Sequence, residues 1–196
     1  MVQSFRFSTP LRTGVDGRAV KRIIEKLVAQ NIGLQREQLS KIDLSNTCLA
    51  GARLTATNLS GADLSCAKLT GASLMDARLD RADLRGADLA GANLHFADLS
   101  GADLRGANLQ NADLSCANLH GADLRGADLR GANLKAAYLV GARVKWSDLD
   151  GADLNSAYVH GLKTGAGEKN TIKGPTSSEK IKLFITSLRA RMAAAG

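Results

Sequence analysis

The sequence predicts an all-β solenoid, a chain that turns one corner every five residues, and three observations carry that expectation. Leu recurs at every fifth position from Leu39 onward, with Val144 and Val159 the only substitutions, so twenty-five positions stay in register without a gap. Two residues before each centre, from Ala52 to Ala157, stands Ala, except at Thr57 and Ser147. The residue before the centre is often Asp or Asn, and the one two after it is often Gly, as in Gly61-Ala62-Asp63-Leu64-Ser65. A five-residue period matches neither the amphipathic helix nor the half-buried strand. On a helical wheel these leucines advance about 500° per repeat and spread around the whole circumference. What remains is a chain with Leu and Ala pointing in, the other three positions pointing out, and Gly, Asp and Asn at the corners they favour.

The run of A-[DN]-L-x-x over residues 40 to 161 resembles the signature of the pentapeptide-repeat proteins. That resemblance implies a right-handed quadrilateral β-helix, four pentapeptides to a coil. Twenty-five repeats then make about six coils, a body roughly 30 Å long at the ~4.8 Å spacing of paired strands. The first coil is less regular, since Ile42 and Thr47 replace Ala, and Cys48 and Arg53 replace Asp or Asn. Stacking gives each Leu another above and below, and backbone amides pair between coils as in a parallel sheet.

Three segments follow from this reading: an N-terminal segment 1–39, the repeat body 40–161, and a C-terminal segment 162–196. An end coil exposes leucines and strand edges and calls for a cap. Asp16 can cap a helix running to about Gln30, with Val20, Ile23, Ile24, Leu27 and Val28 on one face and Gly33 at its end. Ser177 or Ser178 can start a second helix carrying Ile181, Phe184, Ile185, Leu188 and Met192, to cap the far end or dock elsewhere. The α-helices therefore flank the solenoid at both ends.

The 196 residues carry 26 Lys and Arg against 19 Asp and Glu, a net charge of +7. The excess lies at the ends: residues 1–39 sum to +4, 40–161 to −2 and 162–196 to +5. A basic patch on the body is not supported, and nucleic acid or an anionic membrane would be met through the terminal helices. No secretory signal and no apolar run near 18 residues is present, so a cytoplasmic location is expected. Three cysteines, Cys48, Cys66 and Cys116, form no CxxC motif and no even disulfide framework.

Sorting outward residues by the twenty-residue coil exposes one unusual side. Before the centres it carries Asp43, Asp63, Asp83, Asp103, Asp123 and Arg143, and after them Ser45, Ser65, Arg85, Arg105, Arg125 and Lys145. Each Arg can reach an Asp on its own or the next coil, which makes these either self-neutralising stripes or a docking surface for a charged partner. Phe96 and Trp146 stand at outward positions where Gly is usual, and Trp146 is a candidate interface anchor. His120 and His160 share a column two coils apart, too far for a common metal ion, and His95 lies elsewhere. No nucleophile is paired with a base, and the Gly-rich stretch 161–169 lacks phosphate-loop spacing. The expectation is a protein without catalytic residues, cofactor or metal that binds another protein, with self-association through a terminal helix or solenoid end a further possibility. The candidate binding residues are Asp63, Asp83, Asp103, Asp123, Arg85, Arg105, Arg125, Lys145 and Trp146. Some members of the family mimic DNA and bind type II topoisomerases. Leu centres and a near-neutral body argue against that role here.

Overall fold

Parallel bridges join the residues that precede the centres to those twenty residues later, from Gln38 and Asn58 to Arg143 and Lys163 with Asp128 and Asp148 the exception, in a computed structural model that describes residues 17–149 and 151–163. Four pentapeptides therefore make one coil with four sides. We number the sides by the residues that precede their centres: side 1 runs through 38, 58 and 78, side 2 through 43, 63 and 83, side 3 through 48, 68 and 88, and side 4 through 53, 73 and 93. The centres from Leu39 to Val159 are almost wholly buried, and so are the alanines from Ala62 to Ala142. Each buried Leu contributes on the order of 1.5 to 3 kcal/mol against the cost of ordering the chain.

The five N–H groups of one repeat show why the motif has its composition. Ala87 donates to Leu84 O at 3.1 Å across the turn, Asp88 to Ala67 O on the preceding coil, and Leu89 and Gly91 to Asn108 O and Gln110 O on the following one. The N–H of Ala90 is met by a side chain, the Asp88 carboxylate at 3.2 Å. Buried backbone donors need partners, and this bond recurs from Ser45 N to Asp43 through to Asn155 N to Asp153. Asp or Asn before the centre is thus part of the turn. The corner residue has positive φ at every regular corner, 62° at Gly91, 55° at Cys66 and 57° at Phe96, which is why Gly is frequent there.

Where the inward positions are polar, the hydroxyls are satisfied. The buried Thr57 donates to Leu34 O at 2.7 Å and Thr47 to Leu44 O at 2.6 Å. The register begins one pentapeptide before the first centre counted in the sequence: Leu34 is buried, and its N–H donates to Arg53 O. That turn escapes notice because Ile32 and Gly33 stand where Ala and Asp would mark it.

Helix α1, Gly17–Ala29, covers the N-terminal end. Val20, Ile24 and Leu27 enter the core, with Val28 and Ile32 packed against it. Ile23, expected on the same face, is instead 44% exposed because it lies about 60° to one side of the Val20–Ile24–Leu27 stripe. Lys21 ties the helix down through Asp43 at 2.8 Å and the Ser45 hydroxyl at 3.0 Å, and the Glu25 carboxylate accepts from Cys48 N. The helix ends in a Schellman motif, with Asn31 N on Val28 O and Ile32 N on Leu27 O. Asn31, at φ 55°, takes the left-handed position expected of Gly33. Asp16 and the C-terminal helix expected to start at Ser177 or Ser178 lie outside the described residues.

One corner is irregular. A 3-10 turn, Trp146–Leu149, replaces the usual corner at Trp146. The carboxylate of Asp148 there accepts from Gly126 N at 2.9 Å, where the regular repeat supplies a carbonyl oxygen. The Trp146 and Ser147 side chains lie outside the described residues.

Candidate interaction surface

Side 2 is built by the turn chemistry itself. The residue before each centre must point outward while its carboxylate reaches the N–H two residues on, so every Asp of the column is fixed against its own turn. Asp63 accepts from the Ser65 N–H at 2.9 Å and hydroxyl at 2.7 Å. On the next three coils of the column the hydroxyl gives way to a guanidinium. Arg85 Nη2 lies 2.5 Å from Asp83 Oδ2, Arg105 Nη2 2.7 Å from Asp103 Oδ2, and Arg125 Nη2 2.6 Å from Asp123 Oδ2. In each pair Arg Nε also donates to Oδ1 at 2.8 Å, giving a two-point clamp. The pairing is within a repeat; the contact to the next coil, Arg85 Nε to Asp103, is long at 3.9 Å. Side 3 repeats the device once, with Asp128 held by Arg130.

The electrostatics follow the geometry. Hydrogen bonding to their arginines holds the carboxyls of Asp83 and Asp103 below the usual carboxylate range. Burial pushes Asp123 up, and the Arg125 hydrogen bond, added to its own turn N–H, outweighs it. Lys21, together with the Ser45 hydroxyl and N–H, pulls Asp43 down to about 2. Arg143 and Lys145 continue the two columns with cations alone, and Lys163 follows Arg143.

On the other sides Asn stacks on Asp. Asn108 donates to Asp88 at 3.0 Å, Asn118 to Asp98 at 3.0 Å, and Asn133 to Asp113 at 2.9 Å, each across one coil. On side 4, His95 Nδ1 lies 2.7 Å from the Ser115 hydroxyl, which donates to Asp113 at 2.6 Å. The serine proton points to the carboxylate rather than to a base, so this trio is a turn network and no activated nucleophile. Cys48, Cys66 and Cys116 are free thiols. Among the described residues no group of three or more His, Cys, Asp or Glu comes together, and no helix is long and apolar enough to cross a membrane.

Of the candidates chosen from sequence, the structure gathers Asp63, Asp83, Asp103 and Asp123 with Arg85, Arg105, Arg125 and Lys145 on one side. Trp146 sits in the irregular turn at that side's edge. Phe96 is 57% exposed at the corner leading into side 1. Missed in sequence were Tyr138 and Tyr158, exposed on side 1 and stacked on one another. The same twenty-residue sorting would have paired them.

Coils paired in register around an aliphatic core, with side chains displayed in columns, define a β-solenoid of the quadrilateral type. The family model for pentapeptide repeats matches in eight copies, over residues 38–76, 72–111, 92–131 and 117–155. The chain belongs to the pentapeptide-repeat family, whose members fold as right-handed quadrilateral β-helices. It is 32% identical to HetL, a pentapeptide-repeat protein involved in heterocyst differentiation regulation from the cyanobacterium Nostoc sp. strain PCC 7120, over 69% of this chain and 79% of that one, with a TM-score of 0.35. It is 36% identical to Rfr23 from the cyanobacterium Cyanothece 51142, over 57% and 63% of the two chains, with a TM-score of 0.32. QnrB1, a plasmid-mediated fluoroquinolone resistance protein, is similar in fold at 19% identity and a TM-score of 0.50, over 79% of this chain and 84% of that one. No curated protein sequence matches the chain.

Proposed function

We propose that the chain is a non-enzymatic binding module, a scaffold of about six coils in the cytoplasm whose flat sides present side chains to another protein. In this reading residues 40–161 are the binding body and the segments 1–39 and 162–196 close its ends. The observation that carries it is the row of clamped pairs on side 2, Asp83 with Arg85, Asp103 with Arg105 and Asp123 with Arg125. Folding is satisfied by the inward Leu and Ala and by the turn carboxylates, which leaves the arginines and Lys145 to set what the surface meets. Held in two-point contacts at the pitch of the coils, these charges lose little further freedom on binding.

A second reading rests on α1, whose Arg18, Arg22 and Lys26 are all exposed, and would send the chain to nucleic acid or an anionic membrane. Affinity capture from a nuclease-treated lysate separates the two. The full chain serves as bait beside one variant carrying Asp103→Asn and Arg105→Gln and another carrying Arg18→Ser, Arg22→Ser and Lys26→Ser. A protein held by the parent chain and lost by the side 2 variant supports the module reading. Retention by that variant with loss by the helix variant refutes it.

A further inference from the structure

Both tyrosines of the chain occur in side 1, one coil apart, at the position that Asp98 and Asn118 hold on the preceding coils. Their rings stack with centroids 4.5 Å apart and planes at 6°. Tyr138 nevertheless remains 46% exposed and Tyr158 42%. Tyr cannot supply the short side-chain acceptor that the turn takes from Asp or Asn, so these two coils give up a folding device for an aromatic surface. Around the next corner, which Gly141 and Gly161 leave without side chains, stand Arg143 and Lys163, bridged to each other, with Lys145 beside them. Arg85, Arg105, Arg125 and Arg130 each lie on a carboxylate of their own repeat. Among the described residues Arg143, Lys145 and Lys163 have no ion-pair partner. The surface thus changes, over its last coils, from arginines clamped on carboxylates to cations outside any close ion pair, with Asp123 the carboxylate acting on Arg143, next to exposed rings.

Resting on the binding-module reading, we propose that Tyr138, Tyr158, Arg143, Lys145 and Lys163 form the docking surface for an acidic segment of a partner protein that carries aromatic side chains. Charge complementarity sets the sign of the partner. The aromatic pair sets its apolar part, since exposed Tyr with neighbouring Arg is the composition of interface anchors. A single-stranded nucleic acid needs an open ring face for each stacked base. Here each ring already gives one face to the other, so the pair offers a strand fewer faces than two separate rings would, and the occupant proposed is a peptide.

The test is an equilibrium titration of the full chain with labelled poly(Glu,Tyr) copolymer, with poly(Glu) and oligo(dT) of matched charge as comparators. The copolymer is expected to bind about tenfold or more tighter than poly(Glu). Tyr138→Asn with Tyr158→Asn, residues that the fold already accepts at Asn118, abolishes that preference. Arg143→Gln with Lys163→Gln weakens both polypeptides about tenfold. Lys68→Gln with Arg78→Gln, which removes two cations of the early coils on sides 3 and 1, leaves both within about twofold. Thermal melts followed by circular dichroism confirm that each variant is folded. Absence of a copolymer preference in the parent chain overturns the proposal, as does its survival in the tyrosine variant. Tighter binding of oligo(dT) than of copolymer overturns it too and assigns the surface to nucleic acid. If the side 2 variant loses its captured protein while the copolymer shows no preference, the module reading stands and this surface alone is refuted.

Discussion

Leu104→Ala tests the stacking that the whole structure depends on. Leu104 is completely buried, and its N–H donates to Asp123 O on the next coil while Leu84 N donates to Asp103 O at 2.8 Å. The substitution removes about three methylene equivalents at ~0.8 kcal/mol each. Centres above and below hold the space open, because the coil backbone is pinned by inter-coil hydrogen bonds on every side and cannot collapse into the void. Adding the cavity contribution brings the expected loss to about 3 to 5 kcal/mol. Leu154, at the far end of the register and 6% exposed, makes the comparison sharp. In a structure whose stability is carried by nearest-neighbour interfaces, an end defect frays one coil whereas a central one uncouples two halves. Leu154→Ala is therefore expected to cost about half as much. Urea unfolding followed by far-ultraviolet circular dichroism reads both, through the midpoint at constant slope. A loss under about 1 kcal/mol for Leu104→Ala, or equal losses for the two variants, would refute nearest-neighbour stacking as the source of stability.

Ala102→Leu inserts bulk where Ala82 and Ala122 already meet it across the coils, and is expected to destabilise by about 1 to 3 kcal/mol in the same assay; an unchanged midpoint contradicts the assignment of Ala to the walls. Gly91→Ala meets nothing within 4 Å at φ 62°, so its cost of about 1 kcal/mol is conformational. The reverse change, Cys66→Gly at φ 55°, is expected to stabilise by about 0.5 kcal/mol, the relief of left-handed strain less the added chain entropy. Asp43 is depressed to about 2 from an ordinary 3.8, first of all by the Lys21 hydrogen bond, so its tie to α1 is complete above pH 4 and lost as pH falls toward 2. In Lys21→Met the Asp43 carboxyl titration, followed by carbon NMR, should move up toward 3.8, and an unmoved midpoint rules out Lys21 as the cause.

The period of five was enough to place the core, because a solenoid translates sequence spacing directly into direction: Leu64 and Ala62 point inward for the same reason that Ser65 cannot. It was also enough to gather side 2, since residues twenty apart must stack. What the spacing left open was decided at the scale of single contacts. Whether Arg105 reaches Asp103 or its neighbour one coil away depends on rotamers, and the turn settles it by aiming the carboxylate back along its own repeat. Leu34 was missed because its repeat lacks the Ala and Asp that mark the others. The wheel sets Ile23 and Val28 on opposite flanks of the Val20–Ile24–Leu27 stripe; which flank meets the end coil depends on how α1 sits on it, and Val28 packs against the core while Ile23 is exposed.

Asp and Asn serve the turn equally, and the choice between them follows from what stacks above and below. Where no cation is near, Asn stacks on Asp and donates its amide across the coil, as Asn118 does to Asp98. Side 2 instead keeps Asp83, Asp103 and Asp123 in succession, and there each carries an Arg two residues on. Carboxylates at the coil spacing of ~4.8 Å repel by about 1 kcal/mol in water, so the arginines make an all-Asp column tolerable as well as giving it a binding surface. Arg105→Gln should then destabilise by up to about 1 kcal/mol, a small figure because Arg105 is 45% and Asp103 31% exposed. Adding Asp103→Asn should restore the parent stability to within about 0.3 kcal/mol, because Asn keeps the turn acceptor and can donate to Asp83 as Asn118 does to Asp98. A double-mutant cycle by urea unfolding measures this directly. Rescue means that the arginines answer the repulsion along the column; further loss in the double variant would mean that the ion pair itself stabilises the fold and that column repulsion does not govern the Asp and Asn pattern.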